Sequence, residues 1–193
     1  MGRKPRFGRE DFIGAALKII SEKGPDALTV AGLAARAGAP VGSVYHRFIS
    51  REVLMAELWV SIAESFQRGF LEELERGGEQ AALYTLRWVR KHPNEGRVLL
   101  LYRREELKSG RWPDEIKEQV ASLGSALDKG IRTFVKKRLG VLNRENVRRA
   151  VFALTDVPLA AVKPHLQQGE KPPVFIDRLV LDTYRAVVGG EGK

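Results

Sequence analysis

Apolar residues in this 193-residue chain recur mostly at intervals of three and four, the spacing of one face of an α-helix. Strict alternation of apolar and polar residues, which indicates a half-buried β-strand, is almost absent, as are hairpin turn pairs. The pattern therefore predicts an all-α protein. The nine predicted helices cover residues 9–23, 29–37, 41–47, 51–76, 79–91, 94–108, 113–139, 143–167 and 174–188.

Capping and helix-breaking residues set several predicted helix ends. Thr29 and Ser50 are hydroxyl N-caps, and Glu52 places an acid in the first turn after Ser50, where it favours the helix dipole. Gly38 ends the second helix a few residues before the third begins. Pro158 lies inside the eighth helix, where we expect a kink.

The two short helices at 29–37 and 41–47, joined by Gly38-Ala39-Pro40, have the spacing of a helix-turn-helix over residues 29–48. In that motif the second helix enters the DNA major groove and presents side chains to base edges. Two such helices also occur in ordinary bundles, so the spacing alone leaves both readings open. Predicted core residues of the motif are Leu33, Ala37, Val44 and Phe48.

Candidate DNA contacts lie around the second short helix. Small residues at its start allow close approach to bases, and polar residues at its end can reach phosphates or bases. Two further candidates stand at neighbouring helix starts, where phosphates dock, and a basic arm precedes the first helix. These predicted contacts are Val41, Gly42, Ser43, Tyr45 and His46, then Thr29 and Arg51, then Arg3 and Lys4.

The distribution of charge supports a polyanionic partner for this region. The chain has 33 Lys and Arg against 24 Asp and Glu, a formal net charge of +9. Residues 1–51 contain nine basic and four acidic residues, a net charge of +5 in about a quarter of the length. The alternative is a basic surface that only aids solubility.

Other function classes lack their sequence signals. The absence of cysteine excludes disulfides, zinc-finger clusters and cysteine nucleophiles. His46, His92 and His165 are scattered, and no nucleophile elbow, phosphate loop or dinucleotide motif occurs. The longest strictly apolar runs are only a few residues. We therefore expect a cytoplasmic protein without catalytic site, metal, cofactor or membrane span, and keep a helical interaction module that does not read DNA as the rival.

Residues 9–59 resemble the DNA-binding domain of the TetR family of bacterial repressors, in the order and spacing of six short motifs. These are Ala15-Ala16-Leu17, Glu22-Lys23-Gly24, Leu28-Thr29-Val30, and the stretches LAARAG at 33–38, GSVYHRF at 42–48 and SREVL at 50–54. The resemblance implies a three-helix DNA-binding domain, here residues 1–50, and a domain of about six helices, residues 51–193, that binds a ligand and dimerises. It also implies a repressor that binds a palindromic operator and is released by a small-molecule inducer.

Site roles follow from the same resemblance. It implies phosphate contacts from Thr29, Tyr45 and Arg51, and base or phosphate contacts from Val41, Ser43 and His46. The sequence departs from the family at three positions. Pro40 replaces a frequent Ser or Thr and removes a hydroxyl contact, Arg51 replaces the usual Lys, and Gly8 replaces a hydroxyl cap.

The second predicted domain offers two sets of candidates. Aromatic residues can line an effector pocket, although aromatics at helical spacing more often fill a core; they are Trp59, Phe66, Tyr84, Trp88, Tyr102, Phe134 and Phe152. By resemblance, the last two helices form a dimer interface, the alternative being burial within one chain. The candidate interface residues are Val151, Leu154, Leu159, Val162, Phe175, Leu179 and Val180.

Overall fold

The computed structural model of the protein describes residues 7–101 and 112–189. Over these residues the chain is all helical and contains no strand. The helices are α1 (Arg9–Lys23), α2 (Val30–Ala37), α3 (Val41–Arg47), α4 (Arg51–Arg76), α5 (Gly78–Lys91), α6 (Pro93–Leu101), α7 (Asp114–Leu139), α8 (residues 144–168) and α9 (Ile176–Val188). The all-α prediction is confirmed. The predicted end of the sixth helix, residues 102–108, lies outside the described residues.

Helix α8 departs from ideal geometry next to its first proline. It consists of Arg144–Val151, a π-helical segment at Phe152–Asp156, and Val157–Gln168. The Val157 N–H donates to the Phe152 carbonyl, five residues back. Pro158 cannot donate to the carbonyl four residues before it, and its ring crowds that carbonyl. The irregularity thus precedes the proline at which the sequence predicts a kink.

Helix α9 begins two residues later than predicted. Val174 and Phe175 belong to a turn, and the first amides of the helix donate to carbonyls three residues back: the Ile176 N–H to Pro173 at 3.3 Å and the Asp177 N–H to Val174 at 3.0 Å. Pro172 and Pro173 donate no backbone hydrogen bond of their own. The helical spacing therefore predicted a start inside this turn, two residues before the helix begins.

The described residues form two compact units. The first contains residues 7–61 and 112–117, so it includes α1, α2, α3 and the start of α4. Its core joins apolar residues from all four helices and from the turn before α2: Phe12, Ala16, Leu28, Leu33, Val44, Phe48, Leu54 and Leu58 are each at most 1% exposed. Burial of these side chains holds α3 in place from its inner face.

The second unit contains residues 62–101 and 118–189. Its core is built mainly between α5, α8 and α9, and includes Leu86, Val89, Ala153, Leu154, Val162, Leu166 and Val180, each at most 1% exposed. The Arg90 guanidinium joins α5 to the first turn of α9 and to the segment before it, because it bonds to both carboxylate oxygens of Asp177, at 2.6 and 3.0 Å, and to the carbonyls of Pro172 and Pro173. No helix in the described part of the chain is long and apolar enough to cross a membrane.

Candidate nucleic-acid interface

Thr29 begins α2 as the sequence predicts. Its Oγ1 accepts a hydrogen bond of 3.0 Å from the Gly32 N–H, while its own backbone is extended. A Cβ on Gly32 would lie only 3.0 Å from that oxygen, so glycine keeps room for the cap. Because the hydroxyl acts here as an acceptor, its proton can still be donated to an outside oxygen such as a phosphate.

The turn between α2 and α3 depends on Gly38. Its φ of 65° and ψ of 27° are left-handed, a conformation that disfavours residues with a Cβ. The Gly38 N–H donates to the Ala35 carbonyl, and the Ala39 N–H to the Ala34 carbonyl, which is the double bond of a Schellman motif. Pro40 follows as the residue before α3 and makes no side-chain cap. Only three residues, 38–40, separate α2 from α3.

Helix α3 is held by one row of its side chains and presents the others to solvent. Val44 and the following Phe48 are fully buried, and the Phe48 ring packs edge-on against Phe12 at 5.8 Å between centroids. Of the larger outward residues, Val41 is 44% and Tyr45 55% exposed. The remaining outward residues, Gly42, Ser43, His46 and Arg47, are also exposed. A short helix with a fixed inner row and an open outer surface suits insertion into a groove.

At Gly42 the outer surface of α3 has no side chain, so the helix backbone itself is exposed. A Cβ built there would meet no atom of the protein within 4 Å. The protein therefore does not need glycine at residue 42 for its own packing or for a special backbone angle. Glycine in a helix costs stability relative to alanine, which points to an external reason for the residue, such as close approach to a base pair.

Arg51 lies in the first turn of α4 and contacts the start of α2. Its Nε donates a hydrogen bond of 2.8 Å to the Leu28 carbonyl, and its Nη2 lies 3.8 Å from a carboxylate oxygen of Asp26. Ser50 caps the same helix, since its Oγ accepts from the Val53 N–H at 3.3 Å, which confirms the predicted cap. The Arg51 guanidinium is thus placed beside Thr29, the other predicted phosphate contact at a helix start.

Two ion pairs join helices of this unit. Arg36 makes a two-pronged pair with Glu22, one prong being 3.0 Å from Nη1 to Oε2, and it joins α2 to α1. The hydrogen bond from Arg36 holds the pKa of the Glu22 carboxyl below its usual value. Arg9 pairs with Glu57 at 3.1 Å and joins α1 to α4. Arg36 therefore has a structural role in the unit.

Phe7 is a residue of this surface that the sequence analysis missed. Its ring packs against Phe12 at 6.3 Å between centroids. It also lines an open depression together with residues of the turn and of α3, namely Gly38, Ala39, Pro40, Gly42, Ser43, His46 and Arg47. A lone aromatic before the first helix carries no periodic signal, so only the tertiary structure could reveal it. The predicted contacts Arg3 and Lys4, which precede it, lie outside the described residues.

The predicted effector residues fall into several different environments. Phe66, Tyr84 and Trp88 come together between α4 and α5, with centroids of Phe66 5.2 Å from Tyr84 and 5.0 Å from Trp88. Two unpredicted residues join this aromatic cluster: Phe70 lies 6.3 Å from Tyr84, and His92 lies 5.3 Å from Trp88. Burial raises the pKa of the Tyr84 hydroxyl.

Two other predicted pocket residues, Phe134 and Phe152, lie on helices other than α4 and α5. Phe134 is buried in the second unit, on α7, and Phe152 is 42% exposed on α8. Trp59 belongs to the first unit, and Tyr102 lies outside the described residues. Within the described chain, no group of His, Asp and Glu side chains is arranged to hold a metal ion.

The predicted interface residues also divide by exposure. Leu154, Val162 and Val180 are at most 1% exposed and fill the core of the second unit, while Val151 and Leu159 are partly exposed. Phe175 and Leu179 are 68% and 58% exposed. Phe152 and Val174, which the prediction did not place in the interface, are exposed as well, Val174 at 73%. Val174, Phe175 and Leu179 lie within six residues of one another, and exposed apolar side chains that form a contiguous patch mark interaction surfaces.

Comparison with known proteins agrees with this geometry. Residues 12–58 match the family model described as "Bacterial regulatory proteins, tetR family". No curated protein sequence matches the chain. Among solved structures, the transcriptional regulator FadR from Bacillus subtilis, in complex with stearoyl-CoA, is 18% identical with a TM-score of 0.66; the match covers 96% of this chain and 100% of that one.

Two further solved structures extend the likeness over the whole fold. A transcriptional regulator from Rhodococcus sp. Rha1 is 16% identical with a TM-score of 0.73, over 95% of this chain and 97% of that one. A TetR transcription regulator from Haloarcula marismortui is 14% identical with a TM-score of 0.71, over 94% and 96%. At these identities the structures establish the fold, and the family model establishes the N-terminal motif. Residues 12–58 are thus similar to the N-terminal region of TetR-family regulators, and the chain has the fold of the transcriptional regulators that it matches.

Proposed function

We propose that this protein is a ligand-responsive transcriptional repressor that binds a palindromic operator as a homodimer and releases it when a small-molecule inducer binds. The observation that carries the proposal is the surface of α3. Its outward side chains are exposed, while Val44 and Phe48 are buried and hold the helix against the core. The protein acts in the cytoplasm by binding alone, so we expect no turnover of a substrate.

The proposed DNA contacts separate into two kinds. Thr29, Tyr45 and Arg51 contact phosphates, which fixes the register of α3 without reading sequence. Ser43 and His46 read base edges, and Val41 supplies an apolar contact such as one to a thymine methyl group. The absence of a Cβ on Gly42 lets the helix backbone approach the groove. The fixed positions of Thr29 and Arg51 at adjacent helix starts support this division.

The proposed dimer uses the exposed apolar side chains at α8 and α9. We place Phe152, Val174, Phe175 and Leu179 at its centre, because each is at least 42% exposed in the single chain. Leu154, Val162 and Val180 support that surface from within the core rather than contacting the partner. Two recognition helices about 34–36 Å apart would then read half-sites one helical turn apart.

The proposed effector site adjoins the aromatic cluster of α4 and α5. Phe66 and Tyr84 remain partly exposed within it, so they can contact an apolar or aromatic ligand. The similar FadR from B. subtilis was solved with stearoyl-CoA, which makes a fatty acyl thioester a sensible first probe. A ligand changes operator affinity only if it binds one conformation of the protein more tightly than the other. A tenfold change in operator affinity needs a difference of about 1.4 kcal/mol between the ligand's two binding free energies.

Operator binding in the presence of candidate effectors tests this response. Fluorescence anisotropy with the selected operator is measured against stearoyl-CoA and against panels of apolar, aromatic and cationic compounds. We expect one class of compound to weaken operator binding at least about tenfold. Phe66→Leu should shift the concentration of that compound needed for the effect. Phe134→Leu, which replaces a buried aromatic of the same unit outside the cluster, should not. Unchanged operator affinity across every panel would contradict induction.

A further inference from the structure

The Arg90 guanidinium on α5 binds the segment that leads into α9 at three residues. Its Nε donates a hydrogen bond of 2.7 Å to the Pro172 carbonyl, and its Nη2 donates one of 3.0 Å to the Pro173 carbonyl. Nη1 and Nη2 bind the two carboxylate oxygens of Asp177, at 3.0 and 2.6 Å. The side chains of Arg90 and Asp177 are only 19% and 23% exposed. A planar fork of this kind is available to arginine and not to lysine.

Two exposed apolar residues lie between these contact points. Val174 and Phe175 are 73% and 68% exposed, and they follow the two prolines and precede Asp177. The turn is closed by the Asp177 N–H, which donates to the Val174 carbonyl at 3.0 Å. Arg90 thus binds the chain on both sides of the exposed pair, and it sets in part where the pair stands relative to α5.

A second arginine of α5 shows what a more local role looks like. Arg87 donates to the Gln80 carbonyl at 2.7 Å and to a Glu73 carboxylate oxygen at 3.2 Å, and its side chain is 43% exposed. Arg90 instead bonds to residues 82 to 87 positions away in the sequence. Because removing a charge from water offsets much of what an ion pair gains, a partly buried pair is a poor source of net stability. Its geometry points to a need for one defined arrangement of the turn.

We propose, on the basis of the homodimer proposed above, that Arg90 is a positioning residue for the dimer surface. It holds the turn so that Val174 and Phe175 already stand in the arrangement that a second copy of the chain contacts. Side chains and backbone that are ordered before association lose less conformational entropy when the partner binds, and the difference appears as affinity. Arg90 therefore strengthens the dimer without touching the partner.

The dimer dissociation constant of a set of variants tests this role. Arg90→Met removes the guanidinium, and Arg90→Lys keeps the charge on a single nitrogen. Each is made in the wild type and in a truncated turn, which combines Val174→Ala with Phe175→Ala. Arg87→Met is the matched control on the same helix. Sedimentation velocity over a concentration series gives the dissociation constant, and thermal melting followed by circular dichroism shows whether each variant is folded.

The expected result is a coupling between Arg90 and the turn. In the wild type, Arg90→Met should raise the dissociation constant about tenfold or more and Arg90→Lys by less, whereas Arg87→Met should leave it unchanged. The truncated turn should itself dimerise more weakly, and neither Arg90 variant should weaken it further, although both lower its melting temperature. A residue that only supported the fold would weaken the dimer by the same factor in both backgrounds.

Three results overturn the proposal. A wild-type dissociation constant in both Arg90 variants shows that the dimer does not depend on Arg90. An equal loss in the wild type and in the truncated turn shows that Arg90 acts through the fold as a whole. A truncated turn that dimerises as tightly as the wild type shows that the pair lies outside the interface. If the wild type is monomeric at every concentration, the proposed homodimer itself fails, and that outcome is visible before any variant is compared.

Discussion

Arg51 Nε donates a hydrogen bond of 2.8 Å to the carbonyl oxygen of Leu28. The bond joins the first turn of α4 to the residue directly before Thr29, the N-cap of α2. Two helix starts that are more than twenty residues apart in sequence are thereby held side by side. In the proposed complex the same bond sets the distance between the phosphate contacts of Thr29 and Arg51. Arg51 would therefore contribute both to the stability of the fold and to DNA binding.

Comparing two replacements of Arg51 should separate its contribution to stability from its contribution to DNA binding. Arg51→Met removes both, so we expect weaker binding to all DNA sequences, a salt slope lower by about 0.9 per protomer, and a loss of about 1 kcal/mol in unfolding free energy. Arg51→Lys keeps the charge but has one nitrogen, so it should recover DNA affinity more fully than stability. Salt-dependent anisotropy and urea unfolding measure the two effects. Unaltered DNA affinity in Arg51→Met would contradict the phosphate contact.

Gly42 and Gly38 predict opposite effects of the same substitution. Gly42→Ala should stabilise the fold by about 0.5–1 kcal/mol, because residue 42 is helical and an added methyl group meets nothing. It should nevertheless weaken operator binding, because the methyl group intrudes on the groove. Thermal unfolding and operator titration of one protein sample provide both values.

Gly38→Ala is the matched control in the turn. With φ at 65°, we expect a loss of about 1–2 kcal/mol in unfolding free energy. Any loss of DNA affinity should then follow the loss of folded protein. If Gly42→Ala bound the operator as tightly as the wild type, close approach at residue 42 would be refuted.

Leu179 tests the proposed dimer surface. Leu179→Glu places a charge where the partner should exclude water, so we expect the dimer to weaken more than about tenfold, with a melting temperature of the isolated chain that is little changed. Ala121→Glu, at an exposed position of α7, is the control and should leave the dimer intact. Sedimentation velocity over a concentration series measures the association. A stable dimer of Leu179→Glu would place the interface elsewhere.

The ion pair between Glu22 and Arg36 predicts a dependence of stability on acid. Because Arg36 lowers the pKa of Glu22 in the folded state, the pair stabilises the protein above the unfolded pKa, and this contribution is lost as the pH falls through the lower, folded pKa. Both side chains are exposed, so the effect is small. Urea midpoints of the wild type and Glu22→Gln should therefore differ near neutral pH and converge in acid. A constant difference down to the lowest pH would contradict the assignment.

Local signals in the sequence predicted the helix-turn-helix well. Thr29 and Ser50 cap their helices through hydroxyl groups, and Gly38 adopts the left-handed angle that its place after α2 implies. Each of these depends on atoms within a few residues, which is why the sequence alone was sufficient. The pairing of Arg36 with Glu22 is different, because it depends on how α1 packs against α2.

The second unit shows where sequence periodicity is not enough. The family resemblance implied an interface on the last two helices, and the apolar spacing placed Leu154 and Leu179 in one set there, but Leu154 is buried in the chain and Leu179 is 58% exposed. Periodicity identifies an apolar position without stating which neighbour covers it. For the same reason Phe66 and Phe134 could not be assigned to different surroundings before the packing of the helices was known.

Selection of bound sequences from a random DNA pool tests the central claim most directly. The account predicts that the wild-type protein enriches one inverted repeat, and that Ser43→Ala and His46→Ala change the preferred bases within each half-site. Tyr45→Ala should reduce the yield of bound DNA while leaving the enriched sequence the same. If the wild type enriches no sequence, or if the Ser43 and His46 variants enrich the wild-type sequence unchanged, then α3 does not read DNA as proposed.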